Sequence, residues 1–152
     1  MSAPEAEPSQ ILVHALVHAT EDEEKVLAAA RQLFAEAAWC ELRVARTALE
    51  GHFHNPILQL VVMLDEPDLM MQSLRHLAAG LSEQDRSYLQ HNLSAHYDAK
   101  GQLFLRFDKQ ECYRGRLRLV SRGDSLRITI KLAGRRRNLE AALGLCRQCG
   151  LL

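Results

Sequence analysis

The sequence predicts an α+β fold, a single domain in which a mixed or antiparallel β-sheet is covered by helices. Three observations predict it. Apolar runs of strand length recur along the chain, helical periodicity separates some of them, and the two kinds do not alternate regularly. The order reads strand, helix, two strands, two helices, three strands, helix. The 152 residues suit one domain, 47% hydrophobic and 25% charged residues suit a globular one, and 5% aromatics leave the core to Leu, Val, Ile and Ala.

Each element has a local reason. Residues 1–10, acidic and Pro-containing, read as a disordered tail, with the domain spanning 11–152. ILVHALVHA (11–19) is apolar and partly β-branched, as a buried strand requires. Thr20 and Glu23 form a capping box for a helix to about Ala37, with Val26, Leu27, Ala30, Leu33 and Phe34 on its apolar stripe. ELRVARTAL (41–49) suits a half-exposed strand and ILQLVVML (57–64) a buried one. The stretch between them, GHFHNP (51–56), is then a strand-to-strand loop, with Gly51 free to take a positive φ and Pro56 opening the next strand.

Pro67 starts a helix that ends near Gly80, and Ser82 with Asp85 starts a shorter one to about Asn92. QLFLRFD (102–108) is a strand, and KQECYRG (109–115) interrupts the pattern. RLRLV (116–120) and LRITIKL (126–132) flank the turn SRGDS and read as a hairpin. Period-two alternation puts Arg116 and Arg118, then Arg127, Thr129 and Lys131, on its exposed face. Asn138 caps a final helix.

Several chemistries find little support. Cys146 and Cys149 form one C-x-x-C, but it lies at a helix end and lacks the second pair that a zinc ribbon needs. His14 and His18 would lie about 13 Å apart on a strand, too far to share a metal. His52 and His54 could approach each other in the loop, the seed of a metal-dependent enzyme, but no further ligand stands at a suitable spacing. There is no nucleophile elbow and no phosphate loop. No catalytic residue and no cofactor is expected. No apolar run suits a membrane span and no secretory signal is seen, so a cytoplasmic location is the expectation.

The charge distribution is more informative. The net charge is zero, yet residues 1–105 carry 7 Lys/Arg against 15 Asp/Glu, and residues 106–137 carry 11 against 3. A basic segment of that density points to a polyanion, or to an acidic protein partner docked on the same face. The candidate cations are Arg106, Lys109, Arg114, Arg116, Arg118, Arg127, Lys131, Arg135, Arg136 and Arg137.

HATEDEEKV (18–26), LEGHFHNPI (49–57), LRFDKQECYRG (105–115) and IKL (130–132) occur in that order. Together they resemble an archaeal family of RNA-binding proteins proposed as exosome-associated subunits, and the resemblance runs from Ile11 almost to the end of the chain. It implies the fold of ribosomal protein L-five, RNA binding without catalysis, and a partner in the RNA-degrading exosome or in ribosome-linked machinery. The family loop has Gly where this chain has His54. Lys109, Arg114 and Arg116 would hold phosphates if the two motif-bearing connections share one rim of the sheet. His52, Asn55 and Gln110 would then offer hydrogen bonds to sugar or base.

Overall fold

The computed structural model describes residues 7–98, 100–133 and 138–152, with His52 described by its backbone alone. Five strands form one sheet: β1 (Pro8–Val17), β2 (Arg43–Glu50), β3 (Pro56–Leu64), β4 (Gln102–Asp108) and β5 (Ser125–Leu132). Their order across the sheet is β2-β3-β1-β5-β4, and every pairing is antiparallel. The helices are α1 (Glu23–Arg31), α2 (Pro67–Gly80), α3 (Glu83–Asn92), α4 (Lys109–Tyr113) and α5 (Leu139–Cys149). β1 begins three residues before the expected start of the domain.

The strand pattern explains the layering. Ile11, Val13, Ala15 and Val17 of β1 alternate inward with Leu60, Val62 and Leu64 of β3. Leu103, Leu105 and Phe107 of β4 and Leu126, Ile128, Ile130 and Leu132 of β5 do the same. Val26, Leu27, Leu33 and Phe34, Met70, Leu74 and Leu77, and Leu145 from the helical side complete this core. The opposite face of the sheet carries the other half of each alternation, and its residues are half-buried or exposed apart from Thr129. The helices thus form one layer on one face.

Capping fixes the helix starts. Ser82 Oγ accepts from Asp85 N at 3.1 Å and Asn138 Oδ1 from Ala141 N at 2.8 Å, both as the sequence predicts. Pro67 stands in the first turn of α2, with Glu66 as its cap. The first helix differs. Its cap is Asp22, which accepts from Glu24 N at 2.9 Å, and not Thr20. The helix stops at Arg31, and a 3-10 turn, Glu36–Glu41, carries the chain towards β2. Arg86 ties the helical layer together by donating to Gly150 O at 2.7 Å and Ala78 O at 2.6 Å.

The expected hairpin of 116–120 with 126–132 does not form. β5 pairs with β1 on one side and β4 on the other, while 116–120 lies along the far edge of β4. Asp108 N donates to Arg118 O and Val120 N to Arg106 O, both at 2.9 Å. The reason is burial. LRITIKL has a fully apolar face that packs under the helices when it lies between β1 and β4, and the short RLRLV takes the outer edge of β4. KQECYRG becomes α4, capped by Asp108, whose carboxylate accepts from Glu111 N at 2.9 Å.

Cys146 and Cys149 are buried free thiols on α5, and burial pushes the Cys146 thiol up to about 12 and also raises that of Cys149. Neither is an available thiolate at neutral pH.

Ile128 is fully buried between Val13 of β1 and Leu105 of β4. Ile128→Ala is expected to cost about 2–5 kcal/mol in chemical denaturation. A loss below about 1 kcal/mol would contradict the placement of β5 at the centre of the sheet.

Candidate nucleic-acid interface

The helix-free face is built by strand register. Directly paired residues share a face, so Val61, His14, Arg127 and Arg106 form one row running from β3 to β4. Met63, Leu12, Thr129 and Phe104 form the next row, and Gln10, Lys131 and Gln102 the one after. Arg127 reaches diagonally over the Phe104 ring, 4.9 Å from its centroid. Beyond β4, the bridge between Phe107 and Leu119 puts Arg118 level with Asp108 at the sheet edge, where Arg118 is exposed.

The electrostatics of this face are one-sided. Arg106 and Arg127 stand directly opposite each other, a destabilising juxtaposition of like charges. Among the described residues, Arg106, Arg118, Arg127 and Lys131 make no salt bridge to a carboxylate. His14 responds to its surroundings. Burial first, and then Arg127 and Lys131, lower its pKa, so the ring is held neutral. Nδ1 of His14 and Nε of Arg127 are shielded from solvent and make no hydrogen bond among the described residues.

Lys109 has a different place from the one expected. It is 2% exposed, and its ammonium donates to Leu16 O at 2.8 Å and to the Glu21 carboxylate at 3.0 Å. It also lies 2.9 Å from Asp124 Oδ1. Three acceptors use its three N–H groups, so Lys109 is a structural cation and has none left for a phosphate. His18, Glu21 and Asp124 are close enough to suggest a metal site. The Lys109 ammonium, however, is already paired with both carboxylates.

The remaining expected residues scatter along one rim. Arg114 and Arg116 are exposed and bracket Glu111, at 3.6 and 3.2 Å, so one carboxylate partly offsets both. Gln110 is exposed on α4. The 51–55 loop lies at the same end of the sheet, because Glu50 pairs with Pro56 and Leu58 with Val17. Three strand spacings separate it from β4 and α4, about 14 Å, so the two connections share a rim but do not touch through their sheet positions. Asn55 closes the loop, its carbonyl accepting from Gly51 N at 2.8 Å. The side chain of His52 and all of Arg135, Arg136 and Arg137 lie outside the described residues.

The loop itself holds strained backbone. Phe53 and His54 have φ of 57° and 60°, the left-handed region that β-carbons disfavour. The positive φ falls there and not at Gly51, where a Cβ would sit 2.5 Å from Ile57 Cδ1. His54 is the position at which the resembled family has Gly. Phe53 is 92% exposed at the loop tip, an aromatic that charge counting passes over. Charge counting passes over Phe104 as well, whereas Tyr113 stands out in the sequence as a nearby aromatic outside the core strands. Phe104 could be found from the alternation of QLFLRFD, which puts it on the side of Arg106.

Fold and face together define a small α+β protein with one covered sheet face and one cationic sheet face. The chain belongs to the family whose model is described as RNA binding, which matches residues 10–132. It is 35% identical over 125 residues to the RNA-binding protein PAB1135 of Pyrococcus abyssi, covering 80% of each chain. Among solved structures it is similar to AF2318 from Archaeglobus fulgidus, with a TM-score of 0.78, 30% identity and coverage of 94% of this chain and 99% of that one. It is also similar to Mth689, a DUF54 protein from Methanothermobacter thermautotrophicus, with a TM-score of 0.76, 29% identity and coverage of 94% and 98%.

Two predictions follow from this geometry. Burial raises the Glu21 pKa, but the His18 amide and the Lys109 ammonium outweigh it and the net shift is downward. A depressed native pKa stabilises the fold above the unfolded value, and this contribution is lost as pH falls through the native one. Lys109→Met should cost about 3 kcal/mol at pH 7 and flatten the acid limb of the stability profile below about pH 4.5. An unchanged acid limb would remove Lys109 from this role. His54→Gly should raise stability by up to about 1 kcal/mol by relieving the left-handed strain, and a clear loss would show that the imidazole's contact with Glu50 outweighs it.

Proposed function

We propose that this protein binds RNA on the helix-free face of its sheet, without catalysing a reaction on it. The observation that carries the reading is the pairing of Arg106 with Arg127 across β4 and β5, neither of them in a salt bridge among the described residues. A bound phosphate turns that repulsion into attraction and releases counterions. Lys131 extends the cationic track along β5, and Arg118 extends it past the β4 edge. Leu12, Met63 and Phe104 give apolar area between the cations, which suits sugar and base contact better than a purely ionic grip. Family membership supports RNA as the polyanion.

The resemblance of the motifs carries the reading further: a cytoplasmic accessory of an RNA-degrading exosome or of ribosome-linked RNA metabolism, with a fold like that of ribosomal protein L-five. The acidic-protein partner makes a different demand, since it would need carboxylates spaced to meet Arg106, Arg127 and Lys131 and would show no affinity for bare RNA.

The test is fluorescence anisotropy of labelled single-stranded and structured RNA across a range of salt. The Arg106→Ala/Arg127→Ala double variant is expected to bind at least tenfold more weakly, with a salt slope shallower by about 0.7 per lost phosphate contact on single strands. Arg147→Ala, an exposed cation on α5 behind the sheet, should leave both unchanged. Equal affinity of the double variant and the unaltered chain would sink the proposal.

A further inference from the structure

A second polar concavity lies at the rim of the sheet, between α1 and α4. It has a volume of ≈ 310 Å³ and is lined by Thr20, Glu21, Asp22, Lys25, Gln110 and Tyr113, with Val26, Ala29 and the buried Lys109 beneath them. That volume is at the lower end for small-molecule sites, room for one nucleotide and not for a folded partner. The chain brings it together from two distant segments, HATEDEEKV and LRFDKQECYRG, the second of which also supplies Arg106 to the cationic face described above.

The lining has a consistent chemistry. Val26 is 3% exposed and gives an apolar floor. Tyr113 is 48% exposed and offers a ring as a wall. The Lys25 ammonium stands 5.9 Å from the centroid of that ring, near the outer limit of a cation–π contact, and is itself exposed. The Thr20 hydroxyl and the Gln110 amide are exposed and make no side-chain hydrogen bond among the described residues. Behind them the Lys109–Glu21 pair is rigid, because Lys109 is buried and bound to three elements at once. A flat ring, an amide with both donor and acceptor, a hydroxyl and a loosely held cation are what an unstacked base and its phosphate require.

We propose that this cleft receives a single unpaired nucleotide of the bound RNA. The base stacks on Tyr113, Gln110 and Thr20 hydrogen-bond its edge or its ribose, and Lys25 swings from the ring to the phosphate. The cleft opens where β4 ends and α4 begins, so a strand crossing Lys131, Arg127 and Arg106 leaves the sheet at this rim. The inference rests on the RNA-binding reading above, and its test separates the two.

The four nucleoside 5′-monophosphates are titrated into the isotope-labelled full chain, observed by backbone amide shifts, and a short single-stranded RNA is then bound by the same protein and its variants. At least one monophosphate is expected to shift the amides of Thr20, Lys25, Gln110 and Tyr113. Tyr113→Ala should abolish those shifts and weaken RNA binding at least tenfold, and Tyr113→Phe should restore both. Arg106→Ala/Arg127→Ala should weaken RNA binding while still admitting the monophosphate. If Tyr113→Ala binds RNA with unchanged affinity, the cleft assignment is overturned and the sheet-face reading stands. If the unaltered chain binds no RNA, both are overturned.

Discussion

The buried ammonium of Lys109 is the contact on which one rim of the sheet depends. It joins the last carbonyls of β1 to the approach of α1 through Leu16 and Glu21, and it reaches the entry to β5 through Asp124. Four separate parts of the chain thereby meet at one cation, since Lys109 itself opens α4. An unpaired ammonium at 2% exposure would be too costly to bury, so the two carboxylates and the carbonyl must be in place for α4 to dock. Once α4 is docked, Gln110 and Tyr113 face Lys25 across the rim cleft. The cleft at the rim therefore owes its shape to a buried ion pair.

The sheet separates stability from exposed charge by face. On the covered side, each buried Leu, Ile or Phe contributes roughly 1.5–3 kcal/mol relative to exposure. On the open side, the like charges of Arg106 and Arg127 stand on directly paired residues and cost the fold roughly 1 kcal/mol. One buried side chain such as Ile128 or Phe107 offsets that repulsion. The fold can hold a cationic surface in place because the alternation of β5 puts Arg127 and Lys131 on the same strand as Leu126, Ile128, Ile130 and Leu132.

The parts of this architecture set by local pattern could be read from the sequence. Apolar runs located β1 and β3 and alternation located β5, while Pro67, Ser82 and Asn138 marked three helix starts through short-range capping. The partners of each strand were another matter. SRGDS between two apolar–basic runs has every local mark of a hairpin, yet the core needs LRITIKL between β1 and β4, and that choice depends on contacts more than a hundred residues apart in the chain. Partners distant in the chain also hid Lys109, with Glu21 lying 88 residues away. Beside Asp108 and Gln110 it reads as a surface charge, and only the arrival of Glu21 and Asp124 makes it an interior one. Asp22 displaced Thr20 as the helix cap over two residues, a margin within which both have the required side-chain oxygen.

The most direct measurement is ultraviolet cross-linking of the full chain to single-stranded RNA, with the attached peptides located by mass spectrometry. The account predicts adducts on β4 and β5 residues of the helix-free face, Phe104 foremost, and at Tyr113 in the rim cleft. Adducts confined to α2, α3 and α5, on the opposite side of the sheet, would contradict it.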